Sequence, residues 1–473
     1  MDLARIVTAN IDGRTQNTRY RQSQFQRLQA TLVKHIAEIQ DTIRADSGHT
    51  QQEIRAEVVL ALQELRTHYT SLNLAKDLES EYRIAQGKDN PDATRGTGIV
   101  YIVPCVHTLF FSVISALTAA LAAGNCIVLE LPQTTMELPV LLRKVLTDAL
   151  DHDTFAVTTE RPDSSFLNKA LLVIQTDAEI PNALASPATA RTVAVVDRTA
   201  KVAEAAQALV AARFALGGRS PYAPDVVLVN EFAMKPFVEA VIQHASKYLA
   251  GDNGEARQAP NPARRSPLLE SIQKTRNARV LVSGSNWGVV EVQDRNSPLL
   301  QKKIDERVLL VHPVTSLDDA IDMNFNKNLA AVYAFAAPGS AKYLTQFIDA
   351  DISWVNHVPA HMLIGPAIVR NAPYSEKTRY AAAQFQLSRP QLITAPTASH
   401  TTQTILENTD TVKSDSLWRE VLAPLPSTNQ RPGHKIGFFE QGIITGGLIT
   451  LASLLATVST LGYYTWVFVR ARG

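Results

Sequence analysis

The 473-residue chain is short of several things that would place it quickly. It has two cysteines, Cys105 and Cys126. Two thiols cannot build a disulfide framework or a cysteine-based zinc site, so a reducing compartment is expected. It has almost no net charge: 46 basic against 45 acidic side chains leave +1. That excludes bulk electrostatic binding of nucleic acid. The first residues, MDLARIVTANIDGRTQ, hold no apolar run of the kind a secretory signal needs. His107, His357 and His361 show no ligand-type spacing with Cys or Asp, and Pro359 keeps His357 and His361 off one helical face. No metal site is expected, and there is no internal repeat.

What is present is globular in composition, 45% hydrophobic and 19% charged, with length for two or three domains. The mean hydropathy of −0.04 suits a soluble protein but hides an uneven distribution. From Gly442 to Val469 there are 28 consecutive residues without a charge. As a helix they span roughly 42 Å, more than a bilayer's hydrocarbon core requires. Tyr463, Tyr464 and Trp466 form an interfacial aromatic cluster, followed by Arg470 and Arg472. A transmembrane anchor over 442–469 is expected, inserted after synthesis, with the body cytosolic and the endoplasmic reticulum as the default membrane. Gly442 and Gly446 form one GxxxG, a weak signal of helix pairing. The polar stretch 394–441 reads as a tether with one short helix around Leu417–Leu422, and Gly251–Pro267 as a second low-complexity loop.

The body alternates helix and strand. Apolar residues at three- and four-residue spacing mark two helices over Tyr20–Leu74, broken at Asp46-Ser47-Gly48. The strand GIVYIVPC (Gly98–Cys105), a helix over Phe111–Ala123 and the strand NCIVLEL (Asn125–Leu131) form a parallel strand–helix–strand unit. Further apolar strands fall at Ala170–Ile174, Thr192–Val196, Val226–Val229, Val280–Val282, Val308–Val311, Ala331–Ala336 and Trp354–Val355, with helices at Lys201–Phe214 and Met234–Leu249. The class is α/β with doubly wound parallel sheets.

Several stretches carry a family likeness: ADSGHTQQEIRAEVVLALQEL (Ala45–Leu65), GIVYIVP with ALTAALAAGNCIVLELP (Ala116–Pro132), VAVVDRTAKVAEAAQALVAARF (Val193–Phe214), GGRSPYAPDVVLV (Gly217–Val229), TSLDDAIDMNFNKNLAAVYAFA (Thr315–Ala336) and SWVNHVPAH (Ser353–His361). In this order and spacing they resemble the aldehyde dehydrogenase superfamily, in particular its membrane-tethered fatty aldehyde branch, over about Tyr20 to Ile393. The resemblance implies a two-domain fold: a Rossmann-like former cofactor domain over 1–188, a former catalytic domain over 189–350, a return and oligomerisation segment over 351–393, the linker 394–441 and the anchor 442–469. It also implies a homodimer, with Ala382–Ile393 where the family's oligomerisation strand lies.

The chemistry implied by the resemblance is then missing residue by residue. Ala223-Pro224-Asp225 matches the family's Ala-Pro-Asp and puts Pro221 where the family has its cysteine nucleophile, with Ser220 beside it. The family's glutamate base falls at Pro187, and the oxyanion asparagine at His107. The lysine that contacts the cofactor ribose falls at Glu130, which can accept from ribose hydroxyls but repels a 2′-phosphate. The Glu-x-Phe ribose contact falls at Lys303 and Asp305, and the glycine turn reads QTDAEIPNAL without glycine. No nicotinamide cofactor is therefore expected, and aldehyde oxidation is expected to be lost. Three readings stay open. One is a tethered pseudoenzyme. Another is a repurposed non-redox enzyme, of isomerisation or cyclisation type, acting on a lipophilic molecule with His107, Ser220 and Tyr222 as catalytic candidates. The third is an active NAD(P)-dependent fatty aldehyde dehydrogenase with an unusual nucleophile.

Overall fold

The structure, a computed structural model, describes residues 3–176, 183–248, 266–273, 278–370, 372–407, 411–430 and 436–472. The chain forms two compact units, Met1–Thr394 and Ala395–Gly473. The expected low-complexity loop around Gly251–Pro267 and most of the segment expected to replace the glycine turn lie outside the described residues.

The first unit begins with helices Ala4–Asp12, Thr18–Lys34, Ile36–Ser47 and Gln51–Ser71. The two helices expected over Tyr20–Leu74 are thus three. The added break at His35 is a single-residue kink, and the apolar stripe runs on through it from Leu28 and Leu32 to Ile39 and Ile43. Strands follow as β1 (Thr94–Gly96), β2 (Ile99–Val103), β3 (Cys126–Glu130), β4 (Phe155–Thr158), β5 (Ala170–Ile174) and β6 (Leu184–Ala185). The remainder are β7 (Thr192–Val196), β8 (Val226–Asn230), β9 (Ala278–Ser283), β10 (Trp287–Val292), β11 (Arg307–Val314), β12 (Ala331–Phe335), β13 (Ser353–Val355) and β14 (Gln386–Ser388).

Among the described residues these make three sheets. One is parallel, in the order β4-β3-β2-β5-β6. The second has the order β13-β12-β7-β8-β11-β10-β9 and is parallel except for its edge strand β9. The third is the antiparallel pair of β1 and β14. In the first sheet the chain leaves β2 toward β3 and β4, then returns to the other side of β2 with β5. Such a reversal opens a crevice at the carboxyl ends of the central strands, where ligands of α/β sheets bind. The helix Leu109–Ala122, between β2 and β3, is buried along its whole length. An all-round apolar helix of this kind is a core helix, and it packs against Gln51–Ser71.

The second sheet is tied to its loops by one carboxylate. Asp225 is 1% exposed and stands just before β8. Its Oδ2 accepts from the Thr192 backbone N–H at 2.7 Å and from Lys303 Nζ at 3.0 Å. Its Oδ1 accepts from the Ile304 N–H at 2.9 Å and from Arg213 Nη1 at 3.3 Å. Arg213, fully buried, also donates to the carbonyls of Ile304 (2.6 Å), Glu306 (3.1 Å) and Gly218. Burial alone depresses the pKa of both cations, and Asp225 counters it.

The second unit contains helices Thr397–Glu407, Thr411–Leu422 and Phe438–Arg470. The expected tether with one short helix therefore carries two helices. The last helix is long and apolar enough, over Glu440–Arg470, to cross a membrane. At its end the Arg470 and Arg472 guanidinium groups stack over Trp466 and Phe468, at 5.1 and 4.2 Å.

Removing one member of a buried ion pair leaves the other charge stranded, which typically costs about 3–5 kcal/mol. Asp225→Ala should lose about that much stability in urea denaturation of the full chain. A loss below about 1 kcal/mol, as for an exposed pair, would contradict the role given to Asp225.

Candidate functional site

The loop leading into β8 is shaped by Leu216, Gly217 and Gly218, which adopt φ of 50°, 70° and 73°. Gly218 has no alternative, because a Cβ there would meet the Glu306 backbone at 2.5 Å. Ser220, Pro221 and Tyr222 follow, all buried. Ser220 Oγ accepts from the Tyr222 N–H at 3.2 Å. The Pro221 carbonyl accepts from Lys303 Nζ at 2.6 Å and from Thr192 Oγ1 at 2.8 Å. The Tyr222 carbonyl accepts from Tyr333 Oη at 2.8 Å, and Tyr222 Oη accepts from the Ile368 N–H at 2.8 Å. These contacts fix the loop from both sides.

Residues 361–368 lie over it as a cap. His107 sits beyond the carboxyl end of β2, and its Nε2 is 2.9 Å from the Leu363 carbonyl. A carbonyl only accepts, so Nε2 carries the proton and Nδ1 keeps its lone pair. Burial pulls this imidazole down to about 4, which keeps it neutral at physiological pH. Thr108, held at φ 44°, accepts from the Gly365 N–H through Oγ1 at 2.7 Å. Gly365 itself is obligatory, since a Cβ would lie 2.4 Å from the Phe111 ring. Arg379 completes the clamp, donating to the carbonyls of Ile364 (2.8 Å), His361 (3.4 Å) and Pro366. Its guanidinium lies 5.9 Å from the Phe111 ring centre and 5.8 Å from that of Tyr222.

The structure thus gathers His107, Tyr222, Ser220 and Lys303 around one locked loop and its cap. Pro187 makes none of these contacts and lies in a turn where its carbonyl accepts from the Ala190 N–H at 3.3 Å. Neither thiol is poised to react. Burial pushes Cys105 up to about 11 and Cys126 up to about 12, so both remain protonated near neutral pH. Cys105 Sγ lies 3.1 Å from Ser112 Oγ and 3.3 Å from the His107 carbonyl.

Beside Phe111 and the cap is a cavity of about 460 Å³, within the range of small-molecule sites. Leu60, Glu64, Phe111, Met362, Ile368 and Arg379 line it. Two carboxyls of the Gln51–Ser71 helix face this region from a buried stripe. Glu57 Oε1 accepts from the Phe111 N–H at 3.2 Å, and burial raises its pKa to about 7. Glu64 is raised by burial to about 8. Sequence reasoning missed Glu57, Glu64, Arg213 and Arg379. A signal existed for two: Glu57 and Glu64 interrupt the apolar stripe of Ile54, Val58, Ala61 and Leu65.

On the other sheet, Glu130 ends β3 at the carboxyl edge of the crevice. Tyr101 Oη donates to Glu130 Oε2, which leaves Oε1 as an acceptor. This donor set suits a ribose diol and opposes a phosphate. Lys303, by contrast, is engaged by Asp225 and Pro221 rather than facing a ligand.

The sequence model of the aldehyde dehydrogenase family matches residues 10–167. Aldehyde dehydrogenase family 3 member B1 of Rattus norvegicus is 26% identical over 362 residues, covering 68% of this chain and 75% of its own length. The substrate-bound AldH of Staphylococcus aureus superposes with a TM-score of 0.63 at 16% identity, covering 84% of this chain and 95% of that one. Glyceraldehyde-3-phosphate dehydrogenase GapN of Methanocaldococcus jannaschii, solved with NADP, gives 0.61 at 13% identity over 83% of this chain and 94% of its own.

These findings correct the expectation of no cofactor. The family match spans β2, β3 and β4 of the sheet ordered β4-β3-β2-β5-β6, and a neighbour of the same fold holds NADP, so both point to NAD(P) use. The expectation failed because it equated exchanged ribose contacts with lost binding. The strand reversal that opens the crevice is present, and Glu130 stands at its edge with a carboxylate oxygen beyond the one bound to Tyr101. The matched family model and the family 3 relatives support the aldehyde dehydrogenase superfamily, and its fatty aldehyde dehydrogenase-like branch, as what this chain is similar to.

Proposed function

We propose that this is a membrane-anchored, nicotinamide-nucleotide-binding protein of the aldehyde dehydrogenase fold that holds a lipophilic ligand without oxidising it. The carrying observation is the loop Ser220-Pro221-Tyr222. Proline stands where the resemblance calls for a thiol, and the loop's polar groups are bound inside the protein. Oxidation by this fold needs a nucleophile to form the covalent adduct from which hydride leaves. Ser220 Oγ is buried and accepts a backbone hydrogen bond, with no base among its described contacts. In this reading His107, Tyr222 and Arg379 are positioning residues that hold the cap.

Bound NAD would supply hydride-accepting capacity, and Glu130 is the residue placed to take the ribose hydroxyls. Leu60, Phe111, Met362, Ile368 and Pro373 give the 460 Å³ cavity an apolar side that suits a lipophilic guest, and the Glu440–Arg470 helix would keep the body at the membrane where such molecules reside. A second reading, non-redox catalysis of isomerisation or cyclisation type, is favoured by one feature. His107 keeps Nδ1 free to take a proton while Nε2–H stays on Leu363.

Titration of the full chain should show NAD binding about tenfold or more tighter than NADP, because in this reading Glu130 takes the ribose hydroxyls and repels a 2′-phosphate. Glu130→Lys should narrow or invert that ratio; an unchanged ratio would remove Glu130 from the nucleotide site. With NAD and a long-chain aldehyde, the full chain should form no NADH above a heat-inactivated control. Sustained NADH formation would instead establish the dehydrogenase reading with an unusual nucleophile. Deleting residues 438–473 should move the protein from the carbonate-washed membrane pellet to the supernatant, whereas a truncated chain that stays in the pellet would refute the anchor.

A further inference from the structure

Glu64 lines the cavity and is 6% exposed. Its Oε1 accepts from the Arg379 backbone N–H at 2.7 Å, whereas Oε2 is buried with no partner. Burial outweighs the pull of the Arg379 guanidinium and holds the carboxyl up near 8. At neutral pH it is mainly the acid form, with a proton and no acceptor for it among the described residues. A buried polar group in this condition is rare in native folds and points to something not yet in place.

The neighbours do not supply the acceptor. Leu60, Phe111, Met362 and Ile368 are apolar, and of the polar lining residues Gln63, Thr67, Ser375 and Thr378 none is hydrogen-bonded to Oε2. His361 also leaves Nε2 buried without a partner. The Arg379 guanidinium is turned onto the carbonyls of the cap and onto two aromatic faces. It is therefore engaged and does not stand ready for a ligand carboxylate. The exposed Arg66, Glu376 and Lys377 sit at the rim in water. A guest that reaches Glu64 is apolar where it meets Leu60, Phe111, Met362 and Ile368 and carries one neutral acceptor.

We infer that Glu64 is the recognition residue of this cavity, its carboxyl donating a hydrogen bond to the carbonyl oxygen of a neutral lipophilic ligand. The inference rests on the ligand-holding reading proposed above and gives it a substrate class. It also separates two buried carboxyls of one helix. Glu57, whose Oε2 is likewise without a partner, caps the start of the Leu109–Ala122 helix through the Phe111 N–H and is not part of the cavity lining, whereas Glu64 lines it.

The test compares octan-2-one with octane, equal in chain length, for binding to the full chain in nanodiscs against empty nanodiscs. One hydrogen bond gained by the ketone predicts up to about tenfold tighter binding than octane. Glu64→Gln should keep that preference, since its amide still donates to the ketone and accepts from Arg379. Glu64→Met should bring the ketone down to the affinity of octane and leave octane unchanged. If the methionine variant does not fold, infrared difference spectra of the wild type decide: ketone binding should shift a protonated carboxyl stretch that is absent from Glu64→Gln. Equal binding of ketone and octane with no infrared shift overturns the role of Glu64 and leaves the cavity a ligand site. Binding of neither compound overturns the ligand-holding reading itself, and this inference with it.

Discussion

Asp225 is a full charge held out of water, and much of the site's geometry follows from balancing it. Two backbone N–H groups, a guanidinium and an ammonium meet one carboxylate. Because Arg213 then reaches the carbonyls of Gly218, Ile304 and Glu306, the charge fixes the loop before β8 against the segment before β11. Lys303 spans the same gap by binding Asp225 and Pro221 together. An isolated buried charge would be very unfavourable, so these groups are strongly coupled. The loop Ser220-Pro221-Tyr222 is thereby anchored from both sides.

The cap over residues 361–368 follows from that rigidity. Tyr222 can hold the Ile368 N–H only because its own backbone is fixed by Tyr333. His107 and Thr108 hold the cap from the other sheet, and Arg379 from the chain that follows it. The same residue types that would serve acid–base chemistry are working as ties. Burial keeps His107 neutral and both thiols protonated, which suits groups that position rather than react. On the cavity side, Glu64 Oε2 and His361 Nε2 are buried without a partner.

Much of the fold was legible because buried parallel strands are near-continuous apolar runs. All seven strands expected beyond the first strand–helix–strand unit appear close to their expected positions. Those not read from the sequence were short, such as β4 and β14, or broken by glycine and glutamate, as is β10 with Gly288 and Glu291. The linker helices were missed because Thr- and Ser-rich segments favour turns locally, and that outweighed the apolar spacing of Leu417, Trp418, Val421 and Leu422. Within the site, resemblance located His107, Ser220 and Tyr222, but the residues that engage them were not visible. Arg213 and Arg379 act mainly on backbone carbonyls distant in sequence, and no local pattern encodes such contacts. The cofactor expectation failed for a related reason: a crevice is a property of strand order, not of the one lysine that usually marks it.

The central claim is that no group in this site can form a covalent adduct with an aldehyde in the manner of the superfamily. Intact-protein mass spectrometry tests it most directly, after the full chain is incubated with a long-chain aldehyde and NAD and quenched in acid. The account predicts a protein of unmodified mass. An acyl increment mapping to the peptide with Ser220, or to that with Cys105, would contradict it.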